Sequence, residues 1–396
     1  MPTEGEPLGL RLKHGEEHRL LGGHPWAFSN ELQEVPRDAA PGSLAVLHDS
    51  GGKPLGLGFF NPRSLISFRM LSRAPRRIDA EFFHDRLREA LRLRARLYPG
   101  EDSFRLCFGE SDGLPGLVVD KYGDTLSLQV LSAGMENRLD DIREALLRLL
   151  SPKGILLRND HPSRALEGLG GESRTLHGEI PAKVRIVRDG LKFQVDLRGQ
   201  KTGFYFDQCD NRAFLAPAFK GRTVLDLYCF TGAFSLAAAR HGALRVLGLD
   251  SSESAVELAR ENARLNGHEA CEFDAADAAQ VLESFAGGEQ TIIPDFILLD
   301  PPSFVPSKKN LPSALRAYLR LNVSALRCLK PGGLLASSTC SHHVSRQDFL
   351  SMLRGAAAKA GRNCRVLAVR GQAQDHPMLL AMPETEYLHF ALLEIL

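Results

Sequence analysis

The sequence has no paired or clustered cysteines. Its seven cysteines are scattered over 396 residues, and none forms a C-x-x-C pair. Isolated thiols in odd number are typical of reduced cysteines, and their pattern argues against both a disulfide framework and a cysteine-based zinc site. The sequence therefore predicts free thiols and no metal site.

Long hydrophobic runs and an excess of charge are also missing. No apolar run approaches the roughly 20 residues that cross a bilayer, and the polar start Met1–Glu6 lacks the core of a signal peptide. We therefore expect a cytoplasmic protein without membrane partners. The 49 basic and 48 acidic residues leave a net charge of +1, which argues against a protein that coats nucleic acid indiscriminately but is compatible with a local basic groove. The length suffices for two or three domains.

Glycine is scarce where a dinucleotide-binding fold would need it. The stretch Thr223–Leu236 predicts a buried strand, a tight turn and a helix, and only Gly232 occupies the turn. A pyrophosphate site needs three glycines there, so a nicotinamide dehydrogenase is the least favoured class and a ligand without phosphates is expected. The next strand, Val246–Asp250, ends in an acid placed to accept hydrogen bonds from both hydroxyls of a ribose. An adenosine without phosphates indicates S-adenosylmethionine.

Two more strand ends carry reactive groups. The strand Phe296–Leu299 is followed by Asp300 and two prolines, and the strand Leu334–Ser338 is followed by Cys340. Because the carboxyl ends of parallel strands meet at one edge of an open α/β sheet, we expect the acid and the thiol to lie close together. A lone cysteine is more often part of a core, but its position after a strand favours chemistry for Cys340. From Thr223 onward, strands and helices alternate as a doubly wound sheet requires.

The first part of the chain has a different pattern. Between Leu8 and Leu71, short alternating strands broken by glycine and proline turns predict a small closed or half-closed β domain. Within it, His18–Asn30 carries the only tryptophan of the sequence. This segment is either a core plug or an RNA-facing edge where Arg19 and His24 touch phosphate.

A basic helix follows the β domain. Asp79 is placed to cap a helix that runs through Leu97, and its arginines form a stripe opposite the apolar face: Arg86, Arg88, Arg92, Arg94 and Arg96. The stripe is either a solvated face or a contact for RNA phosphates. The strands and tight turns of Arg105–Leu131, with the helix after them, predict a small α/β module. The polar and aromatic stretch Gly199–Arg212 is a candidate lid beside the cofactor turn.

Several short motifs follow one another along the chain: His24-Pro-Trp-Ala-Phe-Ser, Gly109-Glu-Ser-Asp-Gly-Leu-Pro-Gly, Gly203-Phe-Tyr-Phe-Asp-Gln, Tyr228-Cys-Phe-Thr-Gly and Asp300-Pro-Pro-Ser-Phe. With them, the chain resembles across essentially its full length the bacterial 23S ribosomal RNA cytosine-C5 methyltransferases of the RlmI type. The resemblance implies an α/β protein in three parts. These are a PUA-like RNA-binding domain over residues 1–74, a central EEHEA-type α+β domain over residues 75–189, and a class I, Rossmann-like methyltransferase domain with a doubly wound sheet over residues 190–396.

The resemblance also implies which residues bind the cofactor. S-adenosylmethionine would be held by the loop from Asp226 to Gly232, with Asp250 on the ribose and Asp277 on the adenine amino group. The full set of implied cofactor residues is Phe206, Gln208, Asp226, Tyr228, Phe230, Thr231, Gly232, Asp250, Ser251, Asp277 and Asp300. The RNA partner, 23S ribosomal RNA or a large-subunit precursor, is expected to contact Arg19, Lys201, Lys308 and Lys309. A homodimer is compatible with the sequence, and Cys209 departs from the family, whose members usually carry arginine after Asp-Gln.

The implied chemistry uses Cys340 and Asp300. Cytosine C5 is a poor nucleophile, and a thiolate that adds to C6 turns the ring into an enamine able to attack a methyl group. Asp300 would interact with the N3 and N4 edge of the base. We expect cationic groups to favour the thiolate, and His342 and His343 lie nearby in sequence. The base that removes the C5 proton is not identifiable, and the target is expected to be single-stranded or flipped out.

Two other function classes remain open. A guanine methyltransferase would share the cofactor pocket and need no thiol, so the substitution Cys340→Ala would leave its methyl transfer intact. A non-catalytic assembly factor that holds ribosomal RNA would need no cofactor, and it would fail to bind S-adenosylmethionine.

Overall fold

The computed structural model describes residues 6–199, 203–268, 271–288, 292–305 and 308–396. The described chain forms two compact units. The first comprises the residues up to Val184 together with Gln374–Thr385, and the second comprises Arg185–Ala373 together with Glu386–Leu396. None of the described helices combines the length and the apolarity needed to cross a bilayer.

The first unit begins with a sheet that, in the described chain, has five strands in the order β1-β3-β4-β5-β2. Its elements are β1 (Leu8–Arg11), α1 (Glu17–Leu21), β2 (Trp26–Ala27), β3 (Ser43–His48), β4 (Pro54–Phe60) and β5 (Phe68–Ser72). β1 runs parallel to β3, and the other pairs are antiparallel. The rings of Phe60 and Phe68 are fully buried in its core. The small β-rich fold expected for this region is confirmed.

A second sheet in the first unit has the strand order β10-β9-β8-β7-β6. Its strands and the helices around them are α2 (Ala80–Leu97), β6 (Ser103–Phe108), β7 (Leu117–Tyr122), β8 (Thr125–Val130), α3 (Ala133–Glu136), α4 (Leu139–Leu150), β9 (Gly154–Asn159) and β10 (Glu172–Gly178). The carboxylate of Asp79 accepts the backbone N–H of Phe82 at 3.1 Å, so the predicted cap of α2 is confirmed. α2 packs on α4 and on β6.

One arginine of the predicted basic stripe on α2 is a core residue. Arg94 is 0% exposed, and its guanidinium donates to both carboxylate oxygens of Asp112 at 2.5 and 2.8 Å and to the carbonyl of Asp375 at 2.6 Å. Leu87, Leu91 and Arg94 follow a spacing of four and three residues, which places all three on the same face of a helix. The prediction that Arg94 belongs to the exposed stripe is therefore wrong.

The second unit is built on a sheet that has seven strands in the described chain, in the order β15-β14-β13-β16-β17-β19-β18. After a ribbon of β11 (Val184–Arg188) and β12 (Leu191–Val195), its strands are β13 (Thr223–Leu227), β14 (Arg245–Asp250), β15 (Cys271–Ala275), β16 (Phe296–Leu299), β17 (Leu334–Thr339), β18 (Cys364–Arg370) and β19 (His389–Ile395). The helices are α5 (Cys209–Leu215), α6 (Ala233–Arg240), α7 (Glu253–Leu265), α8 (Ala278–Ala286), α9 (Leu311–Cys328) and α10 (Arg346–Ala360).

The direction of the strands locates the crevice of this sheet. β13 to β17 run parallel, and β19 lies antiparallel between β17 and β18. From β13 the chain first builds outward through β14 and β15 and then returns to place β16 on the other side of β13. Such a reversal opens a crevice at the carboxyl ends of the central strands, where ligands bind in doubly wound folds. The predicted doubly wound α/β fold is confirmed.

Candidate active site

The loop after β13 has an unusual backbone. Tyr228 and Phe230 have φ angles of 64° and 49°, and Gly232, which precedes α6, has a φ of 82°. Residues other than glycine rarely adopt this left-handed conformation, and such strain is concentrated at ligand sites. A Cβ atom at position 232 would lie 3.1 Å from the ring of Phe273. The loop is therefore held close to its neighbours in a conformation that requires glycine at its end.

The carboxylate of Asp250 fixes this loop from the end of β14. Asp250 is buried, its Oδ2 accepts the backbone N–H of Phe230 at 3.0 Å, and its Oδ1 accepts that of Ser252 at 2.9 Å. Each carboxylate oxygen has a second lone pair. Asp250 can therefore also accept hydrogen bonds from the two hydroxyls of a ribose.

A cavity of about 350 Å³ lies beside Asp250 in the second unit. It is lined by Tyr228, Ser251, Asp277, Ala278, Ala279, Glu283, Phe304, Ala317, Arg320, Leu321 and Ser324. Asp277 also caps α8, because its Oδ1 accepts the backbone N–H groups of Ala279 and Gln280 at 2.9 and 3.1 Å. A largely apolar cleft with a few fixed polar groups is typical of a small-molecule site. Its volume and its acidic edge fit an adenine.

A third acid, Asp226, is buried at 1% exposure in β13, one residue before its end. Its Oδ2 accepts the hydroxyl of Ser235 at 2.6 Å. Burial raises the pKa of Asp226 to about 7. A buried carboxylate without a cationic partner costs free energy, and a cationic ligand would offset that cost. With Asp250 and the cavity, Asp226 fits S-adenosylmethionine, which carries positive charge and no phosphate.

The stretch ahead of β13 packs into the second unit. Gln208 is 3% exposed, and its Nε2 donates to Asp300 Oδ1 at 3.0 Å and to Ser338 Oγ at 3.3 Å. The ring of Phe206 is buried at 5.2 Å from that of Phe204. Of the described residues 203–212, Gln208 thus contacts Asp300 at the site, and the action of this stretch as a lid stays a prediction. Phe206 and Gln208 are held by protein contacts, and their contact with the cofactor stays a prediction.

Asp300 and Cys340 follow neighbouring strands. β16 and β17 are parallel with Leu299 opposite Ser337, so Asp300 lies beside Ser338, two residues before Cys340. Asp300 Oδ1 accepts the hydroxyl of Ser338 in addition to the amide of Gln208. Burial raises the pKa of the Asp300 carboxyl to about 6. This acid is therefore partly protonated close to neutral pH.

The thiol of Cys340 is half-buried, and its neighbours are acidic. Burial, followed by the charges of Asp300 and Asp207, raises its pKa to about 12. The expectation that cationic groups favour a thiolate is wrong for the free protein, in which the thiol is protonated at neutral pH. The ring of His342 is stacked on that of Tyr387 at 5.1 Å, and His343 is exposed.

The residues predicted to contact RNA have different environments. The guanidinium of Arg19 donates to both carboxylate oxygens of Glu31 at 2.6 and 2.8 Å within the first unit. Trp26 is half-buried, and its Nε1 donates to Glu110 at 2.9 Å. Lys309 is exposed in a short 3-10 helix that begins at Lys308, whereas Lys201 lies outside the described residues. Contacts of these residues with phosphate stay a prediction.

Models of two protein families match the chain. That of a PUA-like domain covers residues 10–73, and that of the S-adenosylmethionine-dependent methyltransferases covers residues 155–363, just over half of the chain. A curated relative from Aeromonas hydrophila subsp. hydrophila, named ribosomal RNA large subunit methyltransferase I, is 38% identical over 387 residues, which span 96% of this chain and 97% of the relative. The chain belongs to this methyltransferase family. Its cofactor is S-adenosylmethionine.

Solved structures support the fold of this methyltransferase. A protein from Streptococcus mutans assigned to the S-adenosylmethionine-dependent methyltransferases is 21% identical, and the superposition covers 98% of this chain and 100% of the other with a TM-score of 0.83. A second structure, solved as a methyltransferase homologue in complex with SAH, is 19% identical over the same shares of the two chains, with a TM-score of 0.84. At these identities the likeness concerns the fold.

Proposed function

We propose that this methyltransferase forms 5-methylcytosine in large-subunit ribosomal RNA in the cytoplasm, through a covalent bond between Cys340 Sγ and C6 of the cytosine. The name of the curated relatives supports ribosomal RNA as the substrate. The observation that carries the cytosine chemistry is the thiol of Cys340 beside the carboxyl of Asp300, at the end of the sheet that bears the cofactor loop. Methyl transfer to a nitrogen or oxygen of a base needs no thiol, whereas C5 of cytosine needs a nucleophile at C6.

The protonation states of the two groups suit this addition. The Cys340 thiol has a pKa near 12 and enters the reaction neutral, while the Asp300 carboxyl has a pKa near 6. As sulfur bonds to C6, N3 of the ring becomes basic and takes a proton from Asp300, which in turn accepts the thiol proton. The net change is sulfur on C6 and hydrogen on N3. No separated charge is created in a partly buried site, where it would be costly.

The cofactor residues act by binding and orientation. Asp250 would accept hydrogen bonds from the ribose hydroxyls, Asp277 would accept one from the adenine amino group in the neighbouring cavity, and Asp226 would offset the positive charge of the ligand. Bound there, S-adenosylmethionine supplies the methyl group that C5 of the activated ring receives. The loop of Tyr228–Gly232 is preorganised for this binding, since its strained backbone is already fixed by Asp250.

The remaining parts of the chain serve the RNA. In this proposal residues 1–74 and 75–189 bind the substrate, and Lys309 contacts a flanking phosphate near the target base. A base stacked in a helix cannot reach a thiol at a strand end, so the target cytosine is unstacked when it reacts.

The proposal is tested by nucleoside mass spectrometry. Unmodified 23S ribosomal RNA transcribed in vitro is incubated with S-adenosylmethionine and the wild-type protein, Cys340→Ala or Cys364→Ala. Cys364 is a matched control because it is also half-buried. We expect 5-methylcytidine with the wild type and with Cys364→Ala, and none with Cys340→Ala, which still binds the cofactor.

Other outcomes contradict the proposal in distinct ways. Another methylated nucleoside, formed equally by the wild type and Cys340→Ala, would show a guanine-type enzyme. A wild-type protein that binds the RNA but not S-adenosylmethionine would be an assembly factor.

A further inference from the structure

Besides Asp300, another acid, Asp207, is held close to the end of β17, where Cys340 lies. Asp207 is half-buried and precedes Gln208 in a short 3-10 helix. Its Oδ2 accepts the hydroxyl of Tyr387 at 2.8 Å, and its backbone carbonyl accepts the N–H of Ala373 at 2.7 Å. The ring of Tyr387 is in turn stacked on that of His342, two residues beyond Cys340. These contacts hold the carboxylate of Asp207 at the end of β17.

The other oxygen of this carboxylate, Oδ1, can accept a hydrogen bond or a proton from a ligand. Oδ1 of Asp207 is buried, and no described residue donates a hydrogen bond to it. Leaving a buried acceptor unsatisfied costs free energy, and such groups occur where a ligand completes the site. Gln208, the next residue in the chain, donates to Asp300 Oδ1 at 3.0 Å, which places Asp207 close to Asp300. In agreement with this placement, the negative charge of Asp207 raises the pKa of the Cys340 thiol and of the Asp300 carboxyl.

The proposed reaction requires a base at this place. After methyl transfer, C5 carries both the methyl group and its original hydrogen, while C6 is still bonded to Cys340 sulfur. C5 is bonded to C6, so the group that removes the hydrogen as a proton must lie close to that sulfur. Asp300 is already engaged through Oδ1 by Ser338 and Gln208 and faces the N3 edge in the proposed mechanism. Burial raises the pKa of the Tyr205 phenol. Tyr205 is therefore protonated near neutral pH and cannot act as the base.

We propose that Asp207 is the base that removes the C5 proton, an inference that rests on the proposed cytosine-C5 function. Oδ1 takes the proton, the electron pair of the C–H bond forms the C5=C6 double bond, and the C6–S bond breaks with its pair returning to Cys340 sulfur. The thiolate so formed is strongly basic in this acidic site, and it recovers the proton from Asp207. Both groups thereby return to their starting states. The proton on N3, which is acidic once the ring is aromatic again, passes to solvent, and neutral 5-methylcytosine is released.

The test uses the full-length protein and two in-vitro transcripts of 23S ribosomal RNA, one with cytidine and one with 5-fluorocytidine. A C–F bond cannot lose a proton, so the fluorinated RNA traps every protein that completes the steps before proton removal. We expect Asp207→Asn to form the SDS-resistant protein–RNA complex with fluorinated RNA at the wild-type rate. With ordinary RNA, it should accumulate the same complex while release of 5-methylcytidine falls about 10²-fold, the usual scale of a general base.

Three further variants sharpen the result. Asp207→Glu keeps a carboxylate and should recover part of the release. Tyr387→Phe removes the hydrogen bond that positions Asp207 and should slow release less than Asp207→Asn does. Asp274→Asn replaces an exposed acid of the same unit and should behave as the wild type.

The outcomes that overturn the inference are separable. Wild-type release by Asp207→Asn would exclude Asp207 as the base. Loss of trapping on fluorinated RNA by Asp207→Asn, with cofactor binding retained, would show that Asp207 acts before methyl transfer. If the wild type itself forms neither a trapped complex nor 5-methylcytidine, the proposed cytosine chemistry fails and this inference fails with it.

Discussion

Replacing Asp226 by asparagine is predicted to stabilise the protein while weakening cofactor binding. Burial raises the pKa of this carboxyl from an ordinary 3.8 to about 7. Because the folded-state value lies above the unfolded one, the contribution of Asp226 to stability is full below about pH 4 and is lost as the pH rises through about 7. At about 1.36 kcal/mol per pKa unit, burying this carboxyl lowers the free energy of unfolding by about 1–2 kcal/mol at pH 5 and by about 4 kcal/mol at pH 8.

The neutral amide removes this cost and can still accept the hydroxyl of Ser235. In thermal and urea unfolding, the stability of Asp226→Asn relative to the wild type should therefore rise by about 3 kcal/mol between pH 5 and pH 8. The exposed control Asp274→Asn should show no such trend. Calorimetric titration should show weaker binding of S-adenosylmethionine to Asp226→Asn, since a cationic ligand loses an ionised partner. A stability difference that is flat or falls with pH, or an unchanged affinity, would refute this reasoning.

Two substitutions, one in each unit, test contacts inside that unit. Gly232 and Gly267 both have positive φ (82° and 68°), so alanine at either position carries a backbone cost of about 1–2 kcal/mol. Gly232→Ala should lower the melting temperature and the cofactor affinity more than Gly267→Ala, because only a Cβ at 232 meets the ring of Phe273. Equal melting temperatures of the two variants in calorimetry would contradict this. Arg94→Met should destabilise the first unit by about 3–5 kcal/mol in urea unfolding, because Asp112 stays buried without its cation. Adding Asp112→Leu should recover part of that loss, because it removes the unpaired charge but also the acceptor of the Phe108 N–H group. A double variant as unstable as the single one would argue against the ion-pair explanation.

The strand ends could be predicted from the sequence because they follow from local pattern and one topological rule. Asp226, Asp250, Asp300 and Cys340 each lie at or just beyond the end of an aliphatic run, and a parallel sheet brings such positions to one edge. The single glycine between strand and helix likewise predicts the tight turn before α6, where Gly232 has a φ of 82°. These predictions needed no knowledge of distant contacts.

Other features depend on contacts that no local pattern carries. The hydrogen bond between Asp207 and Tyr387 joins positions 180 residues apart in the sequence, and Asp207 was within a recognised motif without a role. The acidic surroundings of the Cys340 thiol follow from the same long-range packing, which is why cationic neighbours were wrongly expected. The strand β10 was missed because its side chains are almost all exposed and its sequence lacks alternation.

The proposed mechanism requires a covalent bond between Cys340 and the target base. Mass-spectrometric sequencing can identify the peptide linked to 5-fluorocytidine in the SDS-resistant complex of the wild-type protein with fluorinated 23S ribosomal RNA. We expect a modified nucleotide attached to the sulfur of Cys340. A nucleotide attached to another residue, or 5-methylcytidine formed on ordinary RNA without any linked peptide on the fluorinated transcript, would contradict it.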